Sequence, residues 1–246
     1  MEAGTITDLK QLKALKKELT RFIMYYKFAL DELNIKIDIL KQEFQYIHGY
    51  NPIEHVKLRI KTIESILKKV HKKGYDLSLL SIKENIRDIA GVRIVCSFIS
   101  DIYALSDMLQ NQKDIKLIDC KDYIKNPKPN GYRSLHLILQ IPIFMSDREE
   151  HVFVEVQIRT IAMDFWASLE HKTYYKYNQE VPQNLTDELK EAAVSVAKLD
   201  KKMENIHRKM NEFTGSANYE DDLQGLFVNN EKLHFPYEYL ITDINK

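Results

Sequence analysis

The chain has 246 residues, 44% of them apolar, with 36 basic and 36 acidic side chains. That length allows one large domain or two small ones, and the apolar fraction supports a true core. Zero net charge excludes polyanion binding by bulk charge, so local clusters must carry any such argument.

No continuous apolar stretch of signal-peptide type opens the chain, and no run approaches the roughly 20 residues that span a bilayer. The expectation is a soluble, cytoplasmic protein with no membrane contact. Cys96 and Cys120 lie in apolar, strand-like segments without metal-ligand spacing and read as reduced core cysteines.

From Thr7 to about Tyr46 the chain is helix-rich. Thr7 or Asp8 can cap the start, and Leu12, Leu15, Leu19, Phe22, Ile23 and Tyr26 recur at helical spacing. A second apolar set runs through Leu30, Leu33, Ile37, Leu40 and Phe44. Gly49 to Pro52 is a break, after which the spacing of Val56, Ile60, Ile63, Leu67 and Val70 predicts a helix from Pro52. Its end falls near Gly74, after the basic run Lys68, Lys69, His71, Lys72 and Lys73.

Asp88 to Gly91 leads into a strand, Val92–Phe98, followed by a short helix near Ile102–Gln110 and a strand over Ile115–Tyr123. Asn126 to Gly131 has the chemistry of a tight loop. Arg133–Phe144 and His151–Arg159 read as a hairpin-like antiparallel pair joined through Met145–Glu150. Helices are predicted over about Ala162–Tyr177 and Thr186–Glu212, leaving Gly215–Lys246 as a poorly packed tail or an interface arm. The fold class is α+β: a mixed, mainly antiparallel sheet flanked by N- and C-terminal helices.

The strand at 152–159 is the most informative element. Val152, Val154, Val156 and Ile158 face one way, while Phe153, Glu155, Gln157 and Arg159 face the other. Asp88 stands at the entry of a second strand, and two carboxylates on neighbouring strands could share one Mg²⁺. The plainer alternative pairs Asp88 with Arg87 or Arg93, and Glu155 with Arg159. Arg59, Lys68, Lys69, Arg93, Lys121, Lys128, Arg133 and Arg159 surround the same elements, as a phosphate site would require. Lys61, Lys72 and Lys73 read as solvated surface charges. Tyr132 could stack on a base or pack as core, and His136 could touch phosphate or be a satisfied sheet histidine. The chain has no Walker loop, Gly-x-Gly-x-x-Gly, Gly-x-Ser-x-Gly or HExxH, which disfavours P-loop ATPases, Rossmann dehydrogenases and zinc hydrolases.

Asp88-Ile-Ala-Gly-Val-Arg93, Gly131-Tyr-Arg-Ser-Leu-His136 and Glu155-Val-Gln-Ile-Arg-Thr160 together resemble the synthetase domain of RelA/SpoT homologues, from about Pro52 to about Asp200. Trp166, Glu170-His171 and Tyr174 to Tyr177 resemble its small, single-domain branch, the small alarmone synthetases. The resemblance implies a nucleotidyltransferase-like fold and transfer of pyrophosphate from ATP to the 3′-hydroxyl of GDP or GTP, releasing AMP. It gives Asp88 and Glu155 to Mg²⁺, with Glu155 also the general base. It gives Arg59, Lys69 and Arg93 to ATP, and Tyr132 to guanine. Lys121, Lys128, His136, Gln157 and Arg159 fall near the phosphates or the acceptor nucleotide.

Two positions depart from the pattern: Lys121 replaces an arginine and Asp164 an asparagine of relatives. The resemblance also implies a homotetramer, in some members with a second alarmone, (p)ppGpp, as activator. No His-Asp dipeptide is present, so synthesis without hydrolysis is expected. Residues 1–214 then form the synthetase domain, with helices at 7–46, a catalytic core at 52–180 and a helix at 186–212, and 215–246 is a tail of unassigned role. Competing readings are a pyrophosphokinase acting on tRNA 3′ ends, which would need RNA contact, and a catalytically silent nucleotide- or RNA-binding module.

Overall fold

The computed structural model describes residues 9–175, 182–214, 226–228 and 231–233. The capping residues Thr7 and Asp8, the side chains of Tyr174 to Tyr177 and most of the tail lie outside these.

The helix-rich start is one 40-residue helix, α1 (Leu9–His48), ended at Gly49, whose φ is +60°. Phe22, Tyr26, Ala29, Leu30, Leu33, Ile37 and Leu40 are buried on one side of it. The two apolar sets of the sequence thus form one stripe. It lies on a five-stranded sheet of order β1-β2-β5-β4-β3.

The helix predicted from Pro52 is instead a strand followed by a shorter helix. Strand β1 (Ile53–Ile60) pairs antiparallel with β2 (Ala90–Cys96), and α2 covers Ile63–Lys73. Thr62 separates them: its side chain accepts from the Ser65 N–H and caps α2. The 3.6-residue spacing misled because Val56 and Ile60 also fit a strand period of two. On α2 the predicted Val70 is buried, with Ile66 one turn before it, whereas Ile63 and Leu67 are exposed. The predicted end holds, with Gly74 left-handed at φ 68° and His71, Lys72 and Lys73 in the last turn.

Short helix α3 (Leu79–Asn85) leads through Asp88 to β2. Then come α4 (Ile99–Gln110), β3 (Lys116–Asp122), β4 (Leu135–Phe144) and β5 (Glu149–Thr160). Strands β4 and β5 are the predicted hairpin, with Leu135 opposite Ile158 and Phe144 opposite Glu149. Only the central β2/β5 pair is parallel, so the sheet is mixed and mainly antiparallel, as expected. Helices α5 (Ile161–Tyr175) and α6 (Gln183–Thr214) follow. Within the tail, β6 (Leu226–Val228) and β7 (Glu231–Leu233) form a two-stranded hairpin that the sequence reading did not foresee.

One face of the sheet is core: Val92, Ile94, Leu135, Leu137, Val154, Val156 and Ile158 are all buried there with α1 and α4. The other face carries the polar residues. Cys96 is buried, but Cys120 is exposed, which corrects the core reading for that residue; both are free thiols. Among the described residues, no helix is long and apolar enough to cross a membrane.

Candidate active site

Strand register sets the polar face in rows. Lys57, Arg93, Gln157, His136 and Lys121 are successive partners across all five strands. The adjoining row holds Arg59, Gly91, Glu155 and Ile138. Side chains at partner positions point the same way, so these residues share one open face. Residues from 57 to 157 are thereby gathered by pairing alone. Arg59 stands here on a strand, not on the predicted helix.

Glu155 is held at both oxygens. Gln157 Nε2 donates to Oε2 at 2.9 Å, and His136 Nδ1 lies 3.4 Å from Oε1. The contacts continue in a ring. Arg159 Nη2 donates to Gln157 Oε1 at 2.9 Å and to the Tyr132 hydroxyl at 2.6 Å, and that hydroxyl shares a 2.7 Å hydrogen bond with His136 Nε2. Burial pushes the Glu155 carboxyl up, but hydrogen bonding and charge from His136, with the Gln157 bond, outweigh it and leave it below the usual range. Asp88 acts in the opposite sense, so the two carboxylates are near enough to feel each other.

Asp88 pairs with neither Arg87 nor Arg93. Lys61 Nζ is 2.5 Å from its Oδ2, and Lys69 Nζ of α2 is 2.8 Å from its Oδ1. Burial raises the Asp88 carboxyl, and the two ammonium groups more than offset this, holding it low. Lys61, read from sequence as a surface charge, is therefore part of the site. Arg159 pairs with Asp164, at 3.1 Å, and not with Glu155.

The expected acceptor-side residues converge less freely. The Tyr132 ring is half-buried and carries Lys128 Nζ at 4.6 Å and Arg159 Cζ at 5.1 Å from its centroid. Lys128 also sits 4.7 Å from the Tyr123 ring. A base stacking on a face that either cation covers would have to displace it. Lys121 is at the edge of the row and pairs with Asp119 at 3.4 Å. Arg133 turns away and donates to the Ile124 carbonyl at 2.7 Å, which gives it a loop-fastening part. Lys68 pairs with Glu64 on the outside of α2.

Loop and helices hold this side in place. Gly131 has φ +91°, and a Cβ there would come 2.5 Å from the Ala193 Cβ of α6. Trp166 donates from Nε1 to the Leu189 carbonyl at 3.1 Å, and Asn130 donates to Glu170 at 3.1 Å. The resemblance residue Glu170 thus fastens the loop at Asn130, and Trp166 joins α5 to α6 in the cluster against which Tyr132 packs. Lys57 and the pairing role of Asp164 were not foreseen; the alternation of Val56, Leu58 and Ile60 was the available signal for Lys57.

A cavity of about 900 Å³ lies elsewhere, between α1 and the β4–β5 turn, with Lys16, Arg21, Tyr25, Phe144 and Arg148 among its walls. The open face has a smaller pocket of about 160 Å³, lined by Lys57, Arg59, Gly91, Arg93, Glu155 and Gln157. The smaller one is the candidate active site, because a buried carboxylate meets several cations there. Among the described residues, no three His, Cys, Asp or Glu side chains converge to hold a metal unaided. Asp88 Oδ1 is buried and has no hydrogen-bond donor, only the Lys69 ion pair at 2.8 Å. An oxygen held this way, beside a second carboxylate, suits a hard cation that would take the place of the ammonium and keep water and phosphate oxygens as its other ligands.

Residues 58–180 match the family model described as the region found in RelA / SpoT proteins. GTP pyrophosphokinase YwaC of Bacillus subtilis (strain 168) is 52% identical over 206 residues, covering 84% of this chain and 98% of the relative. The crystal structure of small alarmone synthetase 2 from Bacillus subtilis superposes with a TM-score of 0.72 at 54% identity, over 78% of this chain and 99% of that one. Small alarmone synthetase 1 from the same organism, bound to its product pppGpp, superposes with a TM-score of 0.72 at 38% identity, over 78% and 98%.

Proposed function

The chain belongs to the RelA/SpoT family, and from that premise we propose that it is a (p)ppGpp synthetase acting in the stringent response. It transfers the β,γ-pyrophosphate of ATP to the 3′-hydroxyl of GDP or GTP. The observation that carries this is the open sheet face, on which Glu155 stands between the cations of β1–β2 and the Tyr132–His136–Arg159 group, with Asp88 and its two lysines at the entry of β2.

Arg59, Arg93 and Lys69 take ATP, with the first two on its adenine and Lys69 on its phosphates. Lys128, His136, Gln157, Arg159 and Lys121 take the acceptor, with Tyr132 on guanine. Glu155 accepts the proton of the 3′-hydroxyl as its oxygen bonds to the β-phosphorus. The bond from that phosphorus to the α–β bridging oxygen breaks, and AMP leaves with the oxygen. Asp88 and Glu155 would hold Mg²⁺, which when bound neutralises phosphate charge and aligns the transferred group. No covalent enzyme intermediate is needed. Holding both nucleotides in line removes much of the entropic barrier, and the guanidinium groups offset the charge that develops on pyrophosphate.

Residues 1–214 form the synthetase domain, and 215–246 are an appended tail. The protein works in the cytoplasm as a homotetramer, with (p)ppGpp as a second, regulatory ligand. Exposed Leu199, Met203 and Ile206 on α6, at coiled-coil spacing, and exposed Leu12 and Leu15 on α1 support helix contacts between subunits. A monomer at micromolar concentration in sedimentation would remove the tetramer.

The deciding experiment incubates the protein with Mg²⁺, ATP labelled at the γ-phosphate, and GDP or GTP. Label in guanosine tetra- or pentaphosphate with matching AMP is expected. Label on tRNA instead, in a parallel arm, would move the assignment to the tRNA acceptor. No transfer in either arm would leave a silent nucleotide-binding fold.

A further inference from the structure

Two guanidinium groups that the proposed function gives to different nucleotides share one carboxylate oxygen. Asp164 Oδ1 accepts from Arg159 Nη1 at 3.1 Å and lies 3.3 Å from Arg93 Nη1. The Asp164 side chain is 17% exposed and sits in the first turn of α5, where the helix dipole favours a negative charge. Thr160 fixes that turn by accepting the Met163 N–H at 3.1 Å.

The two arginines depend on Asp164 unequally. Arg159 is 5% exposed and has other anchors: the Tyr132 hydroxyl, the Gln157 carbonyl and the Ser134 hydroxyl. Arg93 is 33% exposed, and its ion pair among the described residues is with Asp164. Burial and the Arg159 charge both lower the proton affinity of Arg93, while Asp164 raises it. The neighbouring cations therefore repel, and the shared carboxylate offsets this.

We propose that Asp164 is the positioning residue of the ATP side, holding Arg93 on the open face beside Arg159 at the junction of the two nucleotides. This rests on the assignment of Arg93 to ATP and Arg159 to the acceptor. Asparagine at 164 keeps the shape and loses the charge. Arg93 then swings towards solvent, whereas Arg159 stays on its other partners. A purely electrostatic role predicts the opposite sign, because removing a negative charge from a polyphosphate site tightens binding. A purely structural role predicts equal losses for both nucleotides with reduced thermal stability.

Binding of a non-hydrolysable ATP analogue and of GTP, each alone, is measured by calorimetry on the full chain and on D164N, R93Q and the double variant. D164N is expected to weaken the analogue about tenfold and GTP less than about threefold. The double variant should bind the analogue no more weakly than R93Q alone, since Asp164 acts through Arg93. Restoration by D164E would add support. Tighter analogue binding in D164N, equal losses for both nucleotides, or additive effects in the double variant would overturn the proposal alone. Wild-type protein that binds neither nucleotide would overturn the functional assignment and this proposal with it.

Discussion

Gly91 and Glu155 are register partners on the parallel strands β2 and β5, and the missing side chain of Gly91 forms the floor between Arg59 and the carboxylate. A Cβ at 91 would meet the Arg59 Nε, the Arg59 carbonyl and the Glu155 carbonyl, all at 3.9 Å, which is ordinary contact. Gly91→Ala should therefore fold with stability within about 1 kcal/mol of wild type. Gly91→Val should fill the pocket and weaken the ATP analogue by more than tenfold, roughly the effect of overpacking a fitted site. Calorimetric affinity with melting temperature checks both. A valine variant that binds normally would show that ATP does not use this floor.

The proposed mechanism turns on Glu155. Glu155→Gln keeps the size of the side chain and a carbonyl oxygen, but it cannot take the 3′-hydroxyl proton. Turnover should fall by roughly 10²–10⁴ while acceptor binding survives. The wild-type pH profile follows from the lowered carboxyl. Activity needs the ionised form and is lost as pH falls through its pKa, so the acid limb should lie below the usual glutamate range. An acid limb above that range, or turnover untouched in the glutamine variant, would remove Glu155 as base.

The alternation of Phe153, Glu155, Gln157 and Arg159 made one face of the site legible before any coordinates, because a strand's period of two assigns faces directly. The rest depended on pairing. Lys61 reads as a surface charge until its contact with Asp88, 27 residues away, is seen. Arg59 was placed on a helix because Val56, Ile60, Ile63, Leu67 and Val70 keep helical spacing across two separate elements. What local spacing lacks is register: nothing near Lys57 in the chain says that Arg93, Gln157, His136 and Lys121 will stand beside it.

The loop proposed to serve the acceptor is pinned at Gly131, where a left-handed backbone and the nearby Ala193 both exclude a side chain. Gly131→Ala should cost about 2–4 kcal/mol, from backbone strain and overpacking together. It should also raise the KM for GTP more than that for ATP, because Tyr132 follows directly. Adding Ala193→Gly removes the steric part and leaves the strain, but itself costs about 1 kcal/mol within α6, so the double variant should lose less stability than the sum of the two single variants. Thermal unfolding and paired KM values test this. Equal KM changes for the two nucleotides would show that the loop does not serve the acceptor.

Asp200 of α6 is buried, accepts a 2.6 Å hydrogen bond from the Thr160 hydroxyl, and lies outside the proposed chemistry. Burial raises its carboxyl, Glu204 adds to the rise, and the Thr160 bond and Arg133 only partly oppose it. An acid whose folded value lies above its unfolded one binds protons more tightly in the native state, so it lowers stability as pH rises through that window. Asparagine at 200 keeps an acceptor for Thr160 and removes the charge. Asp200→Asn should therefore melt at or above the wild-type temperature at neutral pH, with the difference shrinking as the pH falls below the carboxylate range. Asp200→Leu leaves the Thr160 hydroxyl without its acceptor and should cost about 1–3 kcal/mol. Because Thr160 also caps the turn that carries Asp164, the leucine variant should weaken the ATP analogue as well, which the asparagine variant should not. A wild-type melting curve that does not change with pH relative to Asp200→Asn would show that Asp200 titrates as it does in the unfolded chain.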